Sequence, residues 1–297
     1  MVGVCRLSKN LKQMRLGFKV YKELEAKYGE DYVICVNQHK AIGDAFLMSL
    51  YLPEYFGERR YAVTTIGNAS AEVFRYMNIS DIEILSQEQS DALITFAQFG
   101  GIGEDSLKIL HHQALKWNIG IAWQFQGVKD LSFADLIENL VFKGIGRDAR
   151  RYPSPSASNN RVRELFDGKG LRRSNTVILF PYANTLSSPP ESFWRKVYYD
   201  KRQEKKDICT CVYGSEEPVE GTAAISLKID ELIFAAEYAG EIVCARNGLA
   251  DILSLARCRK TFVYPPGGSE GWIHGTLLDF WSLNRFGYCS DAIEIVF

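Results

Sequence analysis

The chain lacks the marks of several broad classes. No apolar run approaches the roughly 20 residues needed to span a bilayer, and the N-terminus lacks the apolar core of a secretory signal. There is no basic excess: 35 Lys and Arg stand against 36 Asp and Glu, a formal charge of −1. A general nucleic-acid partner is therefore not expected. The seven cysteines are odd in number and form no CxxC pair. Neither a zinc site nor a disulfide framework is expected, and a cytoplasmic, reducing setting fits. Histidine is scarce, with 4 residues; His111 and His112 are adjacent and diverge on any regular element. No Asp-x-Asp metal motif occurs, so neither a metal nor a cofactor is expected.

What remains is a chain of 297 residues, 46% hydrophobic and 24% charged, long enough for two domains with separate cores. Short apolar runs alternate with helical patterns, the texture of βαβ units in a largely parallel sheet. Strands are predicted over residues 32–37, 60–66, 82–85, 93–99 and 119–123, and helices over 45–56, 71–77 and 133–142. Between 144 and 175 the texture turns charged, then rich in Pro, Ser and Asn, with a short helix at 161–166. The domain boundary is placed there. Beyond it, strands are predicted at 176–180, 208–213, 223–227, 241–245 and 261–264, with helices at 190–200, 230–238 and 249–255.

The expected organisation is an N-terminal amphipathic helix (1–28), a Rossmann-like domain (29–150), a linker (151–172) and a second Rossmann-like domain (173–297). The fold class is α/β, two Rossmann-like domains facing a cleft, with mostly parallel sheets. On the N-terminal helix, Leu7, Leu11, Met14, Phe18 and Tyr21 form one stripe, with Lys9, Lys12, Arg15, Lys19 and Lys22 beside it. Two readings stand. Residues 6–22 lie on an anionic membrane surface, or the helix packs on its own domain with a solvated basic face.

Ligands of open α/β sheets bind beyond the carboxyl ends of strands. Orphan amides and the macrodipole favour anions where loops enter helices. Three loops have that position. The first, residues 38–44, carries His39 and Lys40, candidates for an acidic acceptor, and ends in Asp44, which suits a helix N-cap or a general base. The second offers Asn184, Thr185, Ser187 and Ser188 ahead of Pro190, neutral donors for phosphate oxygens; Ser187 or Ser188 also suits a helix cap. The third is Arg246-Asn247-Gly248, where an arginine could hold a phosphate bidentately. A glycine cluster at Gly100, Gly101 and Gly103 hints at a dinucleotide loop but lacks a third spaced glycine and an acidic partner. Trp272, His274, Asp279 and Trp281 could line a ligand cleft or pack as a lid.

These features, in this order, resemble GT-B glycosyltransferases, especially the ADP-heptose:lipopolysaccharide heptosyltransferase family. That family has a strand, a loop ending Gly-Asp and an apolar helix, matched by residues 33–37, Gly43-Asp44 and 45–51. Its second domain opens with a strand, Pro, a polar loop and a Pro-x-Glu-x-Phe-like helix start; Phe180-Pro181 and Pro190-Glu191-Ser192-Phe193 stand there. A strand ending in Gly follows, here Gly214. The Asp-Thr-Gly-Leu-x-His segment of the family reads Arg246-Asn247-Gly248-Leu249-Ala250-Asp251. Two departures occur: the family's phosphate-loop lysine has no counterpart near Ser187-Ser188, and Arg-Asn-Gly is more similar to the donor loop of some fucosyltransferase-like enzymes.

The resemblance implies inverting, metal-independent transfer from a nucleotide-diphosphate sugar to a hydroxyl of a glycan or lipid-linked acceptor. It makes Asp44 the base, and His39 and Lys40 acceptor-side groups. Asn184, Thr185, Ser187, Ser188, Gly214, Arg246, Asn247, Gly248 and Asp251 become donor-side groups, with Arg246 supplying the charge of the missing lysine. Two other readings stay open: a catalytically silent partner of another transferase, and an NAD(P)-dependent oxidoreductase resting on the loop at 100–103.

Overall fold

The computed structural model describes residues 2–38, 40–110, 132–154, 159–184, 186–267 and 276–297, with side chains from residue 10 onward. The chain forms two compact units. One comprises Met1–Gln126 and Ala134–Pro153, the other Gly127–Phe133 and Ser154–Phe297. The predicted strand at 119–123 lies outside the described residues, as do His111, His112, Trp272 and His274.

Unit 1 begins with a long helix, α1 (Val2–Tyr28), and a strand, β1 (Val33–Val36). It continues through α2 (Ile42–Phe56), β2 (Tyr61–Thr65), α3 (Asn68–Tyr76), β3 (Ile82–Ile84), α4 (Gln87–Phe99) and β4 (Leu107–Ile109). The sheet order is β3-β2-β1-β4, and every pairing is parallel. All four β1 residues are buried, as expected of a parallel strand covered on both faces. A short helix, α5 (Phe133–Leu136), runs into a π-helical turn (Ile137–Val141). The buried Lys108 of β4 donates to the Val141 carbonyl there at 2.7 Å.

The strand expected over 93–99 is a helix. Ser86 and Gln89 form a reciprocal capping box at the start of α4, a helix-start signal of the Ser-x-x-Gln kind. Ser90, Leu93, Ile94 and Ala97 then bury with helical spacing. The β-favouring Ile94, Thr95 and Phe96 are overridden by that cap and by burial. Gly100 therefore caps a helix, whereas a dinucleotide loop follows a strand. The nicotinamide reading loses its footing.

α1 packs on its own unit, but not through the expected stripe. Val20, Tyr21 and Leu24 join a core with Ile34, Leu93, Phe96 and Leu107. Gly17 explains the rotation, since a Cβ there would sit 2.1 Å from the Ala92 carbonyl oxygen and 2.6 Å from Phe96 Cβ. Only a glycine lets the two helix backbones approach so closely. Of the expected stripe, Tyr21 is buried, while Leu11 and Phe18 are 54% and 50% exposed.

Unit 2 opens with α6 (Asn160–Gly168), inside the stretch expected to be linker. It continues through β5 (Thr176–Phe180), α7 (Glu191–Gln203), β6 (Asp207–Cys211), β7 (Ala223–Ile225), α8 (Leu232–Ala239), β8 (Gly240–Ala245), α9 (Gly248–Leu253) and β9 (Arg259–Tyr264). Two short helices the sequence reading did not resolve, α10 (Leu277–Trp281) and α11 (Leu283–Phe286), precede β10 (Ile293–Val296). The strand order is β10-β9-β8-β5-β6-β7, again with parallel pairings only. The chain leaves β5 toward β6 and β7 and later returns to its other side through β8, the order of a complete Rossmann sheet. No helix among the described residues is long and apolar enough to cross a membrane.

Candidate functional site

The β5/β8 pair is the topological switch point of unit 2, where open α/β sheets place their ligands. Phe180 at the end of β5 faces Cys244 of β8, so the loop after Phe180 and the turn at Arg246 emerge side by side. One residue ties them together. Asn247 Nδ2 donates to the Tyr182 carbonyl at 2.6 Å. Asn247 Oδ1 accepts from the amides of Leu249 at 2.9 Å and Ala250 at 3.0 Å, capping α9. Substituting such a cap costs about 1 kcal/mol, and here it would also free one loop from the other.

Asn184, Ser187 and Ser188 are exposed in the β5 loop; Thr185 lies outside the described residues. The serines do not cap α7 as expected. Pro190 occupies the N-cap position without a side-chain bond, and Ser188 Oγ accepts from the Ala183 amide at 3.0 Å, closing the loop on itself. Beyond β6, exposed Gly214 adopts φ 61°, a left-handed turn favouring glycine. Glu216 accepts from the Tyr213 amide at 2.9 Å, and Tyr182 Oη donates to the Glu217 carbonyl. Burial pushes the Tyr182 hydroxyl pKa up, and the charges of Glu216 and Glu217 add to it. This acidic corner was missed in the sequence, although Gly-Ser-Glu-Glu directly after a strand is a readable signal.

The largest correction concerns Arg246. A phosphate clamp needs a guanidinium that faces the ligand, but Arg246 is 5% exposed and Asp251, its partner one turn into α9, is 3% exposed. Nη1 donates to Asp251 Oδ2 at 2.9 Å and Nη2 to Oδ1 at 3.0 Å, a bidentate fork. Nε donates to the Trp281 carbonyl at 3.1 Å and Nη1 also to the Asn247 carbonyl at 2.6 Å. The guanidinium lies 5.7 Å from the Trp281 ring and 5.8 Å from that of Phe286. Burial works against its charge, but the nearby Asp251 carboxylate outweighs it and the pKa is raised. Burial pushes the Asp251 carboxyl up, and the Arg246 charge offsets part of that rise. A buried cation needs such a partner. Both groups are thus turned inward and paired with each other, and together they brace the turn carrying Asn247 and Gly248.

The brace extends to the next two strands. Tyr264, at the end of β9, donates its hydroxyl proton to Glu294 of β10 at 2.5 Å, and its Oη stands 3.2 Å from the Trp281 carbonyl. Glu294 also accepts from Ser282 Oγ at 2.6 Å and the Leu283 amide at 2.7 Å. Asp279, considered as a cleft residue, forms a reciprocal capping box with Thr276 at the start of α10. Trp281 contributes its carbonyl and a ring face to the brace.

In unit 1 the corresponding switch point lies between β1 and β4, where the loop after β1 emerges. His39 lies outside the described residues, and Lys40 is exposed. Asp44 is not the helix cap: Ala41 occupies that position with no side-chain bond, and Asp44 falls in the first turn of α2. It is half-buried. The buried Asn37, which the sequence reading passed over, fixes the strand end by donating to Thr65 Oγ1 at 3.1 Å. Among the described residues no group of three or more His, Cys, Asp or Glu side chains is arranged to hold a metal ion.

No family profile and no characterised sequence relative matches the chain. Solved structures do. The ADP-heptose LPS heptosyltransferase II of E. coli superposes with a TM-score of 0.57 at 11% identity, covering 89% of this chain and 90% of that one. A glycosyl transferase family 9 protein of Veillonella parvula gives 0.54 at 12% identity, covering 90% and 87%. The E. coli heptosyltransferase WaaC with ADP gives 0.48 at 9% identity, covering 89% and 93%. The first two likenesses establish the fold: the chain is a GT-B-type α/β protein with a parallel sheet in each half.

Proposed function

We propose that the protein transfers a sugar from a nucleotide-diphosphate sugar to a hydroxyl of a cell-surface glycan or glycolipid precursor. The observation carrying this reading is the switch point of unit 2. Two loops tied by Asn247 lie there, in a fold shared with a heptosyltransferase and a family 9 glycosyl transferase. The acceptor oxygen attacks the anomeric carbon as the bond to the diphosphate oxygen breaks, giving inversion. Asp44 takes the hydroxyl proton, and the diphosphate leaves with the electron pair. Asn184, Thr185, Ser187, Ser188 and the amides around Gly214 and Gly248 supply neutral donors to the leaving charge, without a metal. Lys40 and His39 stand on the acceptor side.

Asp44→Asn tests the base. Turnover should fall at least about a hundredfold, within the range that general bases contribute, with donor affinity nearly unchanged. Undiminished turnover would remove Asp44 from the chemistry. Calorimetry against ADP, UDP, GDP and CMP compounds tests the donor site. A second reading, a catalytically silent partner of another transferase, is favoured by one fact: residues 181–190, 212–218 and 246–248 contain no cation except the buried, paired Arg246. Binding of no nucleotide in that panel would establish the second reading over the first.

A further inference from the structure

Two faces of α1 have different fates. The face carrying Gly17, Val20, Tyr21 and Leu24 is buried in unit 1. The opposite side presents Lys12, Arg15, Lys19 and Lys22, all exposed, and along its edge lie the half-exposed Leu11 and Phe18. Among the described residues, the ring contact of Phe18 is an edge approach to Phe96 at 5.6 Å between centroids. Two acids temper the charge: Glu23 lies 3.7 Å from Lys19, and Glu25 pairs with Lys22. Leu11 and Phe18 are seven residues apart, two helical turns or about 10 Å along the axis. Both therefore meet one plane when the helix lies flat on it.

We propose that this outward face of α1 docks on an anionic lipid surface. Leu11 and Phe18 enter the headgroup region, and Lys12, Arg15, Lys19 and Lys22 face lipid phosphates. Charge complementarity selects this occupant. Flexible lysine stems can follow a mobile layer of phosphates while their ammonium groups stay hydrated, and a narrow apolar edge beside basic residues is the pattern of interfacial helices. Neither half suffices alone, because two part-covered apolar side chains anchor weakly and the basic residues act only within a Debye length of the surface. The docking requires no donor or acceptor, so its test is independent of the sugar-transfer reading.

The experiment is co-sedimentation of the full chain with vesicles of phosphatidylglycerol and phosphatidylcholine, compared with phosphatidylcholine alone. The wild-type chain should pellet with the anionic vesicles and be released by high salt. Replacing Lys12, Arg15 and Lys19 together by Gln should weaken partitioning about a hundredfold, roughly fivefold per basic residue. Leu11→Ser with Phe18→Ser should weaken it about tenfold or more. Circular dichroism and thermal melting show that both variants remain folded; replacing Lys12, Arg15 and Lys19 one at a time keeps the charge arm readable if the triple variant does not. Equal binding to neutral vesicles, no vesicle binding, or binding insensitive to both sets of substitutions overturns the proposal. So does a light-scattering result in which the Leu11/Phe18 variant converts a dimer to a monomer, which would assign the face to a second copy of this chain.

Discussion

Arg246→Ala separates a brace from a clamp. The substitution removes four donated hydrogen bonds, two to Asp251 and one each to the Asn247 and Trp281 carbonyls. It leaves the Asp251 carboxylate 3% exposed with no counter-charge. Breaking a buried pair from one side costs about 3–5 kcal/mol. With a urea slope of about 2 kcal/mol/M, the unfolding transition of unit 2 should move down by roughly 1.5–2.5 M. The buried Trp194 in the core of that unit provides a fluorescence probe. Asp251→Leu alone should cost a similar amount, because it strands the guanidinium.

The double variant Arg246→Met, Asp251→Leu distinguishes the causes. The Asn247 carbonyl keeps another donor, Ala250 N at 3.1 Å, and the Tyr264 hydroxyl, shared with Glu294, stands 3.2 Å from the Trp281 carbonyl. No buried charge remains, so the double variant should recover to within about 1 kcal/mol of wild type, as replaced buried pairs often do. The coupling between the sites would then be several kcal/mol, far outside additivity. A brace also predicts that the folded double variant keeps its nucleotide affinity within a few fold. If Arg246→Ala costs under about 1 kcal/mol, or the double variant costs the sum of the singles, the buried-pair reasoning fails. If the folded double variant loses nucleotide binding altogether, the direct clamp returns.

Gly17→Ala should destabilise unit 1 by about 1–3 kcal/mol, as over-packing does, despite the better helix propensity of alanine, since the new Cβ would meet Ala92 O at 2.1 Å; a stabilised variant in thermal melting would place α1 elsewhere. The Arg172–Asp207 pair gives a pH test. Hydrogen bonds from Arg172 hold the Asp207 carboxyl below its usual value, so its contribution is present above the unfolded pKa near 4 and is lost as pH falls through the folded value. Arg172→Ala should therefore lower stability slightly at pH 7, as an exposed partner allows, and urea titrations should show that difference shrinking toward zero below pH 4. A difference that persisted in acid would assign the effect to packing.

The alternation of strands and helices was legible because each parallel strand is a short apolar run ended by a polar turn. Val33–Val36, Thr176–Phe180 and Gly240–Ala245 bury nearly every residue, and such runs are hard to mistake. Where the sequence misled, periodicity competed with something local. Residues 93–99 are rich in β-favouring side chains, and only the box at Ser86 and Gln89 tells that the chain is already helical. On α1 the larger side chains form one stripe, but the domain takes the face with Gly17, because close backbone approach outweighs side-chain bulk. The short elements from Leu277 to Val296 carry too few residues for a periodic signal.

The polarity of the candidate donor site was the least legible feature, and it changes the chemistry most. An arginine at the carboxyl end of a strand reads as a cation offered to a ligand, because sequence gives its position but not the direction of its side chain. Asp251, five residues on, turns it inward: α9 brings that carboxylate back beneath the turn, and the fork closes at 2.9 and 3.0 Å. The turn thereby gains rigidity and loses its net charge. A leaving diphosphate at this turn would meet hydroxyls, a carboxamide and backbone amides, with Glu216 and Glu217 near Tyr182. Neutral donors stabilise developing charge well only when held in place before the reaction, which is what the Arg246–Asp251 pair and the Asn247–Tyr182 tie provide. Under the sugar-transfer reading, the arginine read from sequence as the charge in the site would act as the support that lets uncharged groups take that role.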